Sequence, residues 1–216
     1  MPPAIGNSDQ TQPVPKKIQI GGKSYSLVAF YYPDAPTSWD VVYHAGCFGN
    51  FYPSPLTLDH PNPETGEKLV PTPAFHIAEA AFQALKWWAN EDIRKSFEAA
   101  TTGDEAYKRS KDQTISPDLT YAGLGNRLAA MELVLRQKYS QNSDLKSALL
   151  ATGDAYLLEH AAGFPKKTFW NDGGRGKAGR NMLGRTLMRL RREFGGHPAP
   201  AGTDDDAFVA LAKAEV

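Results

Sequence analysis

The sequence predicts an α+β fold: a mostly helical single domain with a small β portion on its N-terminal side. Three observations carry that expectation. Apolar and β-branched runs flank Gly21-Gly22 within residues 18–32, the pattern of a hairpin. From residue 74 onward, apolar residues recur at spacings of three and four, the helical period. With 216 residues, 41% hydrophobic and 22% charged, the chain can bury one ordinary core but is short for two large domains.

Taken in order, residues 1–16 are rich in Pro, Gln, Ser and Asn and read as a flexible tail. After the hairpin, 41–43 and 56–58 read as short extended pieces broken by Gly and Pro, and 60–73 as a loop closed by prolines. Residues 74–89 form the first strong helical pattern, followed by a second segment at 93–100, a short helix at 104–111 and a polar loop at 112–120. Leu124, Leu128, Met131, Leu135 and Tyr139 make 124–142 an amphipathic helix. Residues 144–152 form another, with Gly153 as its stop. Residues 155–160 read as a short strand or the start of a loop, 170–181 as a Gly-rich loop, and 182–194 as a helix stopped by Gly195-Gly196. The domain is thereby assigned to 17–195, with 196–216 left as a linker and a short C-terminal helix.

The helix at 74–89 holds the residues best suited to chemistry. On a wheel of about 100° per residue it is apolar nearly all round, and His76, Glu79, Gln83 and Lys86 share one stripe about 80° wide. Such a stripe faces either solvent or a polar cavity. Phe75 and Phe82 flank it, and it pairs a carboxylate, an amide and an amine rather than a run of charges. A carboxylate and an amine two turns apart lie roughly 10 Å apart along the axis, so both can reach a ligand between them.

Other segments admit a binding and a structural reading side by side. Asn50 lies in a Gly-Asn-Phe-Tyr-Pro loop, where its amide can bind a ribose hydroxyl or base edge, or simply form a turn. Phe48, Phe51 and Tyr52 can sandwich a base or pack in a core. The segment 173–180 has three basic residues among four glycines, so exposed N–H groups ahead of a helix could hold a phosphate. Trp170 and Asp172 open that loop, and Asn181 is placed to cap the next helix. Gly174, Gly176 and Gly179 match G-x-G-x-x-G by letter, without the βαβ context that would make it a dinucleotide fingerprint. Arg185, Arg189 and Arg192 form a basic face that meets phosphates or solvent. The five histidines show no metal-ligand spacing, His160 reads as a structural hydrogen-bonding residue, and the single Cys47 has no partner within the monomer, so no metal is expected.

Four stretches in register carry a family resemblance. TPAFHIAEAAFQALKWW resembles a segment in which a Glu is followed by Phe-Gln-Ala and then a Lys. CFGNFYPSPL is similar to Phe-Ser-Asn-Phe-Tyr-Pro-Ser-Pro, with Gly49 in place of Ser. RQKYSQNSDLKSALLATGDAYLLEH resembles a Lys-Phe-x-Gln-Asn helix and a Leu-Leu-x-Thr-Gly turn. FWNDGGRGKAGRNMLGRTLMRLR resembles Trp-Gly-x-Gly, then Gly-x-Asn-x-Leu-Gly-x-x-Leu-Met-x-x-Arg. Together they cover roughly residues 40–194 and resemble the NADAR, or YbiA-like, family of N-glycosidases.

The resemblance implies cleavage of a bond between a ribose carbon and a base nitrogen, with no cofactor. It implies Lys86 as a nucleophile that attacks C1 and passes through a Schiff base, with Glu79 as acid/base. An exposed lysine titrates near 10.4, so a nucleophilic Lys86 needs apolar neighbours such as Phe82 and Trp87 to favour its neutral form. Gln83, Arg109 and the residues of the Asn50 and Gly-rich segments are implied to contact substrate. Departures exist: Tyr107-Lys108-Arg109 keeps only the Arg of a Met-Gly-Arg. Tyr121 is the nearest aromatic where a Trp is common, and Lys167 stands where an Asp often precedes the terminal Trp.

The expected substrate is ADP-ribosylated guanine, in DNA, RNA or a nucleoside. The alternatives are ribosylamino-pyrimidine intermediates of riboflavin synthesis, or a non-catalytic ADP-ribose or NAD-binding module. An intact Glu79 and Lys86 argue against a pure reader. With 24 basic and 24 acidic residues, no whole-surface attraction to nucleic acid is indicated. No protein partner is evident. No secretory signal or bilayer-spanning stretch is read, so an intracellular location, cytoplasmic or nuclear, is expected.

Overall fold

The computed structural model describes residues 11–32, 38–166 and 168–216. It is an α+β protein whose residues group into two compact units, one continuous at 50–143 and one assembled from 1–49 and 144–216. Most of the expected tail, and the substitution at Lys167, lie outside the described residues. Within the rest of that tail Val14 N already donates to Tyr43 O at 2.9 Å, and a strand begins at Lys16.

In the unit built from both ends, β1 (Lys16–Ile20) and β2 (Lys23–Phe30) form the expected hairpin about Gly21-Gly22. The small sheet is not confined to the first third of the chain: β5 (Tyr156–Glu159) pairs in parallel with β2, giving the order β1-β2-β5. That pairing explains why Leu27, Val28, Ala29 and Phe30 are all buried rather than alternating, since a central parallel strand is covered on both faces. α1 (Ser38–Tyr43) replaces the extended piece expected at 41–43. Val41 and Val42 are exposed there, so their β propensity has no packing to act through.

α6 (Ser143–Ala151) leads into β5, and α7 (Met182–Glu193) packs on β5. A Cβ on Gly184 would strike Leu157 O and the Asn181 side chain, so only glycine lets α7 approach the strand this closely. α8 (Asp206–Lys213) closes the unit through Phe208, which sits edge-on to Tyr25 at 5.0 Å and Tyr156 at 4.9 Å.

Arg191 on α7 is fully buried and was not singled out from the sequence, although it is the final Arg of the family-like motif. Its Nε donates to His197 O, one Nη to Thr152 Oγ1 and Ala155 O at 2.8 Å, and the other to Pro198 O. Burial pulls its pKa down to about 10, which leaves it charged at neutral pH. Arg191→Met would strand these acceptors, so it should destabilise the protein by about 2–4 kcal/mol. Urea melts of the two proteins measure this, and a loss under about 1 kcal/mol would count against the staple.

In the continuous unit, β3 (Pro53–Thr57) pairs antiparallel with β4 (Ala74–Ile77). Pro53 and Pro55 suit a strand that is an edge. The end of the long helix α5 (Arg127–Gln141) covers it, with Gln141 Oε1 accepting from Thr57 N at 2.8 Å. The pattern expected as one helix over 74–89 divides. Residues 74–77 are strand β4, α2 is Ala78–Ala84, and a tight 3₁₀ turn follows at Leu85–Trp87. Phe75 and Ile77 are buried and His76 is exposed, so these three residues obey a period of two. His76 therefore leaves the polar stripe. α3 (Glu91–Glu98) and α4 (Gly103–Asp112) pack on α2, capped by Asn90 and Thr102.

Candidate active site

The polar stripe survives as Glu79, Gln83 and Lys86, and the helix geometry joins them. Gln83 stands one α-turn after Glu79 and donates from Nε2 to Glu79 Oε1 at 2.6 Å. The tightening at Leu85–Trp87 brings Lys86 over Gln83, and Nζ donates to Gln83 Oε1 at 2.5 Å. One amide thus spans the carboxylate and the amine. Glu79 is 7% and Gln83 5% exposed, while Lys86 is half-buried. The stripe faces inward, not solvent.

Burial pushes the Glu79 carboxyl above its ordinary pKa, while the Gln83 hydrogen bond and the Lys86 charge pull it down. Desolvation wins, so Glu79 holds a proton more readily than a surface glutamate. Asn50 adjoins this group: its backbone O accepts from Glu79 N at 3.1 Å. Its Nδ2 donates to Met131 Sδ at 3.3 Å, and its Oδ1 is buried with no hydrogen-bond partner. A buried unsatisfied amide oxygen is costly unless something donates to it, which suits a ligand hydroxyl or N–H.

The remaining expected residues of this unit are placed differently. Phe51 packs its ring over Gly103, where a Cβ would collide with it. Tyr52 is buried, with Lys138 Nζ 5.9 Å from its ring centroid. Arg109 binds Ser96 O and Glu105, tying α4 to α3.

In the other unit, Phe48 is fully buried and lies edge-on to Phe30 at 5.7 Å. Trp170 meets Phe169 edge-on at 4.9 Å. Asp172 is fully buried: Oδ1 accepts from Ala161 N and Gly174 N, and Oδ2 meets His160 Nδ1 at 2.5 Å.

Two expectations about the Gly-rich loop are corrected. Most of the loop amides are not open for phosphate, because they are already bonded to protein oxygens. Gly173 N donates to Asn171 Oδ1, Arg175 N to Gly163 O, Gly176 N to Gly173 O and Gly179 N to Asp172 O. The N–H groups of Arg180, Asn181, Met182 and Leu183 are likewise bonded to carbonyls of 168–171. Gly174, at φ 52°, is there because a Cβ would strike Ala161 O and Gly163 O. Gly176 is half-buried in this turn, and the side chains of Arg175, Lys177, Ala178 and Arg180 are exposed.

Second, Asn181 occupies the N-cap position of α7 without capping it. It sits at φ 48° and makes no side-chain cap bond. Instead Oδ1 accepts from Glu159 N, and Nδ2 donates to Leu157 O and Tyr156 Oη, fastening α7 to β5. The expected basic face is divided too: Arg185 pairs with Asp206 at 2.8 Å, while Arg189 and Arg192 are exposed.

Sequence reasoning left Tyr121 out of the site. It stacks on Phe82 beside Lys86, yet no periodic signal marks it in a turn of Thr, Ala, Gly and Leu. Among the described residues, no group of three or more His, Cys, Asp or Glu could hold a metal ion, and no helix is long and apolar enough to cross a membrane.

The chain is similar to known proteins over most of its length. A riboflavin biosynthesis protein of Vibrio vulnificus is 31% identical over 170 residues, 79% of this chain. The chain spans only 39% of that protein's length. The N-glycosidase YbiA of Escherichia coli is 31% identical over 149 residues, covering 69% of this chain and 81% of YbiA. The NMR structure of E. coli YbiA superposes with a TM-score of 0.56 at 26% identity, covering 78% of this chain and 86% of that one. The NADAR domain model matches residues 36–195, which takes in most of both units, and the chain belongs to the NADAR domain family.

Proposed function

We propose that this chain is an N-glycosidase that removes ADP-ribose from ADP-ribosylated guanine. The hydrogen-bonded line Glu79–Gln83–Lys86 in an apolar setting carries the reading. Relatives named as N-glycosidases support the reaction class. Cleavage builds positive charge at ribose C1 and negative charge on the departing base. In this reading the neutral Lys86 amine gives its lone pair to C1, and the C1–N bond breaks with its electrons going to the base. Glu79, whose burial favours its protonated form, donates the proton that neutralises the base. An amine proton then passes to the ribose ring oxygen as the C1–O bond opens, leaving a cationic iminium between C1 and Nζ. Water adds at C1, the sugar leaves, and the amine is restored. Gln83 keeps the carboxyl and the amine in line, and Asn50 Oδ1 is assigned to a substrate donor.

A second reading, hydrolysis of ribosylamino-pyrimidine intermediates, is favoured by the name of the Vibrio relative. Incubating the protein separately with ADP-ribosylated guanosine and with those intermediates, and measuring released base, decides between them. Release of guanine from the first alone supports the leading reading, and release only from the second replaces it.

In the other unit, the exposed side chains of Arg175 and Lys177 are proposed, by themselves, as contacts for a phosphate group. Replacing both with Ala should weaken ADP-ribose binding several-fold, with a shallower salt dependence, and leave bound-substrate turnover nearly unchanged. Stability should change by under about 1 kcal/mol, as for other exposed charges. Unchanged affinity by calorimetry would remove this assignment.

A further inference from the structure

The line from Glu79 to Lys86 leaves one neighbour without a role. The Tyr121 ring stacks on Phe82, with centroids 5.4 Å apart and planes 27° apart. Lys86 Nζ lies 5.5 Å from the Phe82 centroid and 5.8 Å from that of Tyr121, within the range of cation–π attraction.

The backbone that presents Tyr121 is unusual. Tyr121 and Ala122 hold φ 56° and 57°, in the left-handed region that non-glycine residues rarely enter. Such a conformation persists only where its surroundings over-determine it. Here they do. Asp118 Oδ1 accepts from Thr120 N and Thr120 Oγ1, both at 2.7 Å, and its Oδ2 accepts from Ala122 N at 2.8 Å. Asp118 N donates to Lys86 O at 2.7 Å, so the strained turn is fastened to the residue its ring faces. His60 Nε2 meets Ala122 O at 2.8 Å on the other side.

We propose that Tyr121 is a positioning residue for Lys86: its ring, with that of Phe82, walls the amine and stabilises the positive charge of the iminium on Nζ. This rests on Lys86 being the nucleophile. A π face attracts a cation, so the iminium and the transition state leading to it gain from both rings, whereas the neutral amine gains little. The phenolic hydroxyl has no part in this, and the ring's electron density does.

The test places phenylalanine, and then mono-, di- and trifluorophenylalanine, at position 121. Fluorine withdraws density from the π face with little change in size, so packing on Phe82 and the turn at 118–122 should persist. Thermal melts check that. Tyr121→Phe should keep base release and borohydride trapping within about twofold. Across the fluorinated series both single-turnover rates should fall stepwise, by about tenfold overall. Equal rates across the series, with the adduct on Lys86 intact, would overturn the role of Tyr121 alone. Absence of any adduct from the unsubstituted protein would overturn the nucleophile reading and this inference with it. A merely structural tyrosine would change melting temperature without tracking fluorine number.

Discussion

Lys86→Ala should yield a folded protein that forms no borohydride-stable adduct and turns over at least roughly 10³-fold more slowly. Lys86 sits on the 3₁₀ turn at the end of α2 and is only half-buried, so truncation to Ala keeps a good helix former there and opens no core cavity. What it removes is the amine that the Gln83 carbonyl orients. Lys86→Arg should fail as well, because a guanidinium stays protonated and its planar fork cannot present one lone pair. Mass spectrometry after borohydride treatment with ADP-ribosylated guanosine locates the adduct. A folded Lys86→Ala protein with near-normal turnover would reject the nucleophile assignment and leave Glu79 acting on water directly.

Glu79→Gln should lower turnover by roughly 10²–10⁴-fold, the usual contribution of general acid/base catalysis. It should also stabilise the protein at neutral pH. Burial raises the folded pKa of Glu79 above its ordinary value of 4.5. A carboxyl raised on folding gives its full contribution below the unfolded value, and that contribution is lost as pH rises towards the folded one. Glutamine escapes this loss and can still accept from Gln83 Nε2. The variant's advantage in melting temperature should therefore be present at pH 7 and should close as pH falls below 4.5. A variant less stable than the parent at pH 7 would mean that attraction to Lys86 outweighs desolvation, and Glu79 would lose its claim to hold a proton.

The stripe of Glu79, Gln83 and Lys86 was legible because the helix Ala78–Ala84 fixes Glu79 and Gln83 on one face and the 3₁₀ turn that continues it keeps Lys86 beside them. His76 was misplaced because Phe75 and Ile77 fit a period of two as well as the helical period, and three residues cannot separate them. The pairing that decides the matter, Phe75 with Leu56, is remote in sequence. Asn181 could be located at a helix start, yet sequence does not say which way an amide turns once the backbone is left-handed. Glycine content revealed that 173–179 visits unusual backbone angles, but not that most of its amides would be bonded to protein oxygens. Tyr121 carries no periodic pattern, and only its nearness to the place of a family Trp drew notice to it. Its place depends on Asp118 and Lys86 meeting through the main chain.

The parallel partnership of β2 with β5 has a kinetic consequence. Leu27 pairs with Tyr156 and Phe30 with Glu159, so the sheet closes only when the chain has travelled through nearly all its other elements. Contacts this distant in sequence carry a large loop-closure cost before they return any stabilisation, and they slow folding. During synthesis the early hairpin has one unpaired, apolar strand edge waiting for β5, an invitation to pair with the same edge of another nascent chain. Refolding yield should accordingly fall with protein concentration. Variants that weaken β5 or the Asn181 fastening should aggregate before they lose any residue that touches substrate.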